Sequence, residues 1–467
     1  MRLGYHRRRL AGFAAGMRLA REFGEAERWP RERLRRHQQE RVEAVVRHAV
    51  RYSPFYRERF GGLVEDGPVS LERLPVLDKT GMMENFDDLV TDSRLRREEL
   101  LERVEETRRD EYYLGSYRVM TTSGSSGRKG LFIYDESGWS AIMAQSLRHC
   151  AMMQFRPRLP RRRVAAIVGG APTHMSRQVA VNVSVGIHNV RTLPGTLRVE
   201  QLVEELNRFG PDHMNAFPSL AVILADEQLA GRLRISLKSM TTSSELRTLE
   251  MTDRIVEAFG VRPFDLYANT EGLWGLECER HEGIHLFEDA ALLENVDEDG
   301  CPVPPGEPGE RLLITSLYNM VQPVIRLEVS DVVALEPGPC PCGRTLVRTR
   351  AIEGRRDDVL ELPGRNGGAV AVHPLQFALL TRDREVREFQ VVQEGESVLI
   401  LFVPRHSASN EIEGGLRKAL SRKLTELGVR EPRVSVERRE NLARSAGGKL
   451  QLVVADPAAR AAHPGAG

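Results

Sequence analysis

The densest chemical signal in the chain is the run Thr121-Thr122-Ser123-Gly124-Ser125-Ser126-Gly127-Arg128-Lys129-Gly130. Its glycines permit a tight, concave backbone whose amides can converge on an anion, and its hydroxyls and two cations can donate to phosphate oxygens. A polyphosphate cradle is one reading and a flexible Ser/Gly turn is the other. The Walker arrangement of Gly, four residues, Gly, Lys and then Ser or Thr is not met in this run. A second candidate is Ala446-Gly447-Gly448-Lys449-Leu450, where glycines ahead of a lysine allow a tight loop to carry an ammonium into a cleft. The third combines Cys278-Glu279-Arg280-His281 with Cys340-Pro341-Cys342-Gly343. Cys278, His281, Cys340 and Cys342 make a tetrahedral zinc set that leaves no position for water, so its role would be structural. His285 could replace one ligand, and reduced core thiols are the alternative.

The elements that must position these residues follow from composition and pattern. With 467 residues, 41% of them hydrophobic and 28% charged, the chain can bury a sizeable core and divide at least once. Lys and Arg total 67 against 66 Asp and Glu, so no net field gathers nucleic acid or an anionic membrane. No apolar run approaches the ~18 residues of a membrane span. Five cysteines, an odd number, do not form a secreted disulfide framework and fit a reducing cytoplasm. Arg7 to Arg9 precede an apolar run at 10–17 in the order of a signal peptide, but Arg18 and Arg21 interrupt it and no small-residue cleavage site follows.

Residues 1–50 carry 13 Arg against 6 acidic side chains and predict a helical prelude with a solvated face, ended by Ser53-Pro54. From about residue 112, strand candidates such as 164–168 alternate with helical patterns such as 202–209 and 220–228. Residues 283–333 change to short β-rich runs, at 312–315 and 324–327, between Gly and Pro turns. After Asp357 a small unit begins, with strands at 389–392, 398–403 and 433–437 and a helix at 411–427. The fold class is therefore α/β, with a large N-terminal domain at 1–356 and a small C-terminal α+β domain at 357–467.

Taken with the motifs downstream, the glycine-rich run resembles the phosphate loop of the adenylate-forming enzymes, on the branch of the phenylacetate–CoA ligases. The resemblance implies that Thr121, Thr122, Ser123, Gly124, Ser125, Ser126, Gly127 and Lys129 hold phosphates. Ser244-Glu245 resembles the element flanking the adenine. In Tyr267-Ala268-Asn269-Thr270-Glu271-Gly272, the resemblance implies that Tyr267 stacks near the nucleotide beside Asn269, Thr270 contacts the α-phosphate and Glu271 helps hold Mg²⁺. Asp331 stands in the place of the carboxylate that accepts the ribose hydroxyls, with Ser330 where many relatives carry Gly. Arg355 would contact the ribose, Asp357 would be the hinge of a mobile small domain, and Lys449 would be the adenylation lysine. Tyr134, Phe217, Pro218 and Trp274 fall where the family lines its acid pocket, although core packing explains them equally well.

The implied reaction uses ATP, Mg²⁺ and a carboxylic acid, with an aromatic acid as the family expectation, to make an acyl-AMP and pyrophosphate. Coenzyme A would then accept the acyl group. An amine, another nitrogen nucleophile or a carrier-protein thiol is the alternative acceptor, and a non-catalytic nucleotide-binding scaffold is the alternative from another class. The presence of Lys449, Glu271 and Asp331 together argues against the scaffold. The expected partners are these small molecules, without nucleic acid or membrane, and a homodimer is left open.

Overall fold

Proline and serine punctuate the N-terminal helices. Pro30 precedes the helix Arg31–Tyr52, Ser53 ends it, and the Ser53 hydroxyl accepts from the amide of Tyr56 at 3.3 Å to cap Pro54–Phe60. Arg31–Tyr52 buries Leu34, Gln38, Val42, Val45, Val46 and Ala49 along one helical stripe, while Arg33, Arg36, Arg47 and Arg51 are exposed and Arg31 and Arg41 bond to Glu288 and to the Leu317 carbonyl. The arginine-rich prelude is thus solvated on one side and core on the other. The helix Arg2–Ala26 approaches Glu136–Met152 so closely that a Cβ at Gly16 would meet Cβ of Met143 at 2.8 Å.

The computed structural model describes residues 2–64, 67–122, 130–152, 159–183, 187–336, 338–350, 352–382, 385–405, 411–445 and 447–456. The chain divides into two compact units. The first comprises Met1–Leu193, Phe264–Val329 and Val333–Ala351, and the second Pro194–Pro263, Ser330–Val332 and Ile352–Gly467.

In the first unit, Arg118–Thr121 and Leu131–Tyr134 form an antiparallel pair that brackets the glycine-rich run. Phe264–Ala268, Trp274–Glu277, Ile284–Leu286 and Arg348–Thr349 follow one another as antiparallel neighbours. The β-rich segment is a three-stranded antiparallel sheet of Ala291–Val296, Arg311–Ser316 and Leu327–Val329. Its last strand starts later than the run at 324–327 predicts, because Arg326 takes a left-handed φ of 47°. The Arg326 carbonyl instead accepts from the amide of Leu77 at 3.0 Å, and the Leu77 carbonyl accepts from Glu328 at 2.8 Å. That exchange fixes the segment leading into the short helix Lys79–Glu84.

In the second unit, His213–Ala216 and Ser239–Ser243 pair in parallel, with the helices Val199–Phe209, Pro218–Leu229 and Leu249–Phe259 in the same unit. The C-terminal residues form a four-stranded sheet in the order Arg433–Arg438, Ser397–Pro404, Val386–Glu394, Val453–Val454. The helix Ile412–Glu426 buries Ile412, Leu416, Leu420 and Leu424, one side chain per turn. Each such leucine stabilises the unit by about 1.5–3 kcal/mol. Leu360–Pro363 and Ala369–Val372 make a separate antiparallel hairpin. Among the described residues, no helix is long and apolar enough to cross a membrane.

Candidate active site

Two groups of candidate residues assemble, one in each unit. In the first, the strand Phe264–Ala268 runs into a tight turn because the Asn269 carboxamide oxygen accepts from the amides of Gly272 at 3.1 Å and Leu273 at 2.9 Å. Gly272 sits at a φ of 114°, open to glycine and strained for other residues. Asn269 also donates to the Tyr267 hydroxyl at 3.3 Å. Its side chain is therefore spent on shaping the turn. The Tyr134 hydroxyl donates to the Thr270 carbonyl at 2.6 Å, so Tyr134 braces the same turn from the neighbouring pair of strands.

Glu271 is 7% exposed, and its Oε1 lies 3.4 Å from Nζ of Lys79. Lys79 carries no motif in the sequence. It stands at the first turn of Lys79–Glu84, where the Asp78 carboxylate caps the helix by accepting from the Gly81 amide at 2.6 Å. A Cβ at Gly130 would strike Cε of Lys79 at 2.6 Å and the Thr122 hydroxyl at 2.8 Å. Thr122, Gly130, Lys79 and Glu271 thus converge at the root of the glycine-rich run. Thr122 closes that root, its hydroxyl accepting from the Gly130 amide at 3.0 Å, and Thr121 joins its hydroxyl to that of Thr173 at 2.9 Å. Ser123, Gly124, Ser125, Ser126, Gly127 and Lys129 lie outside the described residues. Trp274 is buried at 4% exposure and packs in the core.

The second group gathers around Lys449. Burial, then the positive charge of Arg355, pushes its ammonium down to about 8, while Glu245 and Asp331 act the other way. Asp331 Oδ1 lies 3.7 Å from Nε of Arg355, on adjacent strands Asp331–Val333 and Ile352–Arg355. The Arg356 amide donates to the Ser330 carbonyl at 2.6 Å and ties the two segments. Asp357 lies in the single 3₁₀ turn Arg356–Asp358 that follows, and Gln451 donates to Asp358 at 2.8 Å.

The Lys449 loop closes on itself, with the Ser445 amide donating to the Lys449 carbonyl at 2.9 Å and Gly448 to Ser445 at 2.8 Å. Gly448 has a φ of 86°, and a Cβ there would meet the carbonyl carbon of Gly195 at 2.6 Å. The family resemblance implies that Glu245 flanks the adenine. In the structure its carboxylate accepts from the amides of Ser219 at 3.0 Å and Leu450 at 2.7 Å, fastening the lysine loop to the helix Pro218–Leu229. Arg444 adds a second tie, donating to the Ser219 hydroxyl at 2.8 Å and pairing with Glu388. Ser244 precedes Glu245 with a left-handed φ of 73°. Phe217 and Pro218 start the same helix, with Phe217 buried at 2% exposure.

The cysteine cluster forms, with one substitution. Cys278, His285, Cys340 and Cys342 hold their donor atoms within 4.8 Å of one another. The imidazole is His285 and not His281, whose Nδ1 instead faces Glu277 at 3.2 Å while its ring packs on Phe264.

No protein-family model matches the chain. Its curated relatives include phenylacetate-coenzyme A ligases. That of Thermus thermophilus is 28% identical over 393 residues, covering 80% of this chain and 81% of the relative. That of Escherichia coli is 27% identical over 348 residues, covering 70% and 72%. Among solved structures, 2-hydroxyisobutyryl-CoA ligase in its postadenylation state, bound to an acyl-AMP, superposes with a TM-score of 0.73 at 23% identity, covering 94% of this chain and 93% of that one. An anthranilate CoA ligase bound to anthranoyl-AMP gives 0.52 at 17% identity, covering 71% and 64%. The folded architecture is that of these ligases.

Proposed function

We propose that this chain, which belongs to the adenylate-forming enzymes on the side of the phenylacetate–CoA ligases, activates a carboxylic acid with ATP and passes the acyl group to coenzyme A. The observation that carries the reading is the gathering of Lys449, Arg355, Asp331 and Glu245 in one unit, with burial and Arg355 lowering the ammonium to about 8. In the first step a carboxylate oxygen of the acid attacks the α-phosphorus of ATP. The bond to the β-phosphate oxygen breaks, and pyrophosphate leaves with the electron pair. Lys449 supplies positive charge where it accumulates between acid and α-phosphate, a fixed donor of the kind worth about 3 kcal/mol of barrier. Asp331 takes the ribose hydroxyls, Arg355 stands beside it, and Thr270 contacts the α-phosphate.

Thr121 to Gly127 and Lys129 receive the phosphates. Glu271 suits a divalent cation, because it is a buried carboxylate with one oxygen on an ammonium and, among the described residues, no partner on the other. Mg²⁺ held there would neutralise phosphate charge. In the second step the coenzyme A thiolate attacks the acyl carbon, the bond to the AMP oxygen breaks, and AMP departs in place of hydroxide. Residues 357–467 act as the mobile small domain, turning at Asp357 between the steps in a reducing cytoplasm.

Aryl acids are the first choice of substrate, after the names of the curated relatives. Incubation with Mg²⁺, ATP, coenzyme A and a panel of aryl and short branched acids tests the reading. Acid-dependent pyrophosphate and an acyl-CoA mass are expected. Pyrophosphate without thioester points to an amine or a carrier thiol as acceptor, and neither product points to a nucleotide-binding scaffold.

A further inference from the structure

We infer that Cys278, His285, Cys340 and Cys342 form a structural zinc centre whose work is to hold the corner between the first two helices. The inference is independent of the proposed reaction. Tetrahedral zinc, with Zn–S of about 2.3 Å and Zn–N of about 2.0–2.1 Å, sets sulfur–sulfur edges of about 3.8 Å and sulfur–nitrogen edges of about 3.6 Å. Sγ of Cys278 lies 3.8 Å from Sγ of Cys340, and Sγ of Cys342 lies 3.5 Å from Nε2 of His285. A disulfide needs about 2.05 Å between sulfurs, so the first pair is unbonded and at the spacing of two ligands on one ion. Cys278, Cys340 and His285 are buried and Cys342 is half-buried, which leaves four protein donors and little room for a water ligand.

The backbone explains why His285 is the fourth donor. Trp274–Glu277 and Ile284–Leu286 pair antiparallel with Leu276 opposite His285 and Glu277 opposite Ile284, so Cys278 leaves its strand beside His285. Arg348, opposite His285 on the other side, brings the 340–343 turn to the same edge. That turn is closed by the Gly343 amide donating to Cys340 at 2.8 Å, with Gly343 at a φ of 82°.

The cluster's surroundings show what it supports. Arg344, two residues beyond Cys342, pairs with Glu27 at 2.7 Å and with Glu279 at 3.0 Å. The Thr345 amide donates to the Glu27 carbonyl at 2.8 Å, and its hydroxyl donates to the Trp29 carbonyl at 2.7 Å. Glu27 and Trp29 lie between Arg2–Ala26 and Arg31–Tyr52. The metal turn therefore carries the helical corner.

The test is metal analysis of the purified full-length protein after passage over a chelating resin. About one zinc per chain is expected, with loss of zinc in Cys340→Ser and His285→Ala and retention in His281→Ala. Cobalt-substituted protein is expected to show intense thiolate-to-cobalt charge-transfer absorption, and stripping the metal is expected to hasten proteolysis at residues 27–30. Metal-free wild type overturns the centre, and should the variants fail to fold the wild-type measurement still decides it. Iron in place of zinc overturns the metal assignment. Zinc lost with His281→Ala but kept with His285→Ala overturns the ligand set. Unchanged cleavage on stripping overturns the role at the corner.

Discussion

The role proposed for Lys449 turns on a single proton. Burial, then Arg355, lowers its ammonium to about 8, below the ordinary lysine value, so the charged form that the proposed adenylation uses predominates below that pH and is lost as pH rises through it. Acid-dependent pyrophosphate release, followed from about pH 6 to about pH 10, is expected to fall as pH rises through about 8. In Lys449→Arg the residual rate is expected to lose that limb, because a guanidinium stays charged throughout. A limb that persists in the arginine variant would assign the titration elsewhere. Lys79 is the second residue to probe, since its ammonium pairs with Glu271 at the root of the glycine-rich run. Loss of a charge-assisted contact costs about 1.5–3 kcal/mol. Lys79→Met is therefore expected to lower kcat/KM for Mg²⁺-ATP by about ten- to a hundredfold, read from steady-state kinetics at saturating acid. An unchanged value would remove Lys79 from the site.

The motifs that could be read from the sequence are those whose chemistry is continuous along one element. Tyr267 to Gly272 run from the end of one strand into its turn, and Gly447-Gly448-Lys449 form one loop, so the family resemblance could be read along a single stretch of residues. The residues that escaped are brought in by register and packing. His285, read from the sequence as the possible replacement ligand, enters the cysteine cluster because the hairpin pairs Leu276 with His285, whereas His281, nearer to Cys278 in sequence, has a φ of 53° and faces Glu277. Arg444 and Lys79 reach their partners only through tertiary folding, and Glu245 turns out to grip the lysine loop. That loop supplies the prediction at this scale. Gly448→Ala forces a Cβ against Gly195 and a side chain into left-handed backbone, strain worth about 1–3 kcal/mol. Adenylation is expected to fall about ten- to a hundredfold while conversion of supplied acyl-AMP to acyl-CoA is spared. Equal loss of both half-reactions would mean that the loop serves more than Lys449.

At the scale of the whole molecule, alternating strands and helices made the α/β class legible, as did the short strands of the β-rich segment. The grouping of residues 194–263 with the C-terminal residues was not legible, because it depends on contacts such as Glu245 to Leu450 and Arg444 to Ser219 that no local pattern encodes. Those contacts gather Lys449, Glu245 and Ser219 in the second unit, and Glu271 and Thr270 belong to the first. Because the proposed role of Lys449 lies in adenylation alone, one substitution there separates the two proposed half-reactions. The most direct measurement compares wild type with Lys449→Ala in two assays, acid-dependent pyrophosphate release and thioester formation from supplied acyl-AMP and coenzyme A. Pyrophosphate release is expected to drop by about 10²–10³-fold with the second assay nearly unchanged. Equal pyrophosphate release from the two proteins, with an acid that wild type activates, would contradict the role given to Lys449 and with it the proposed reaction.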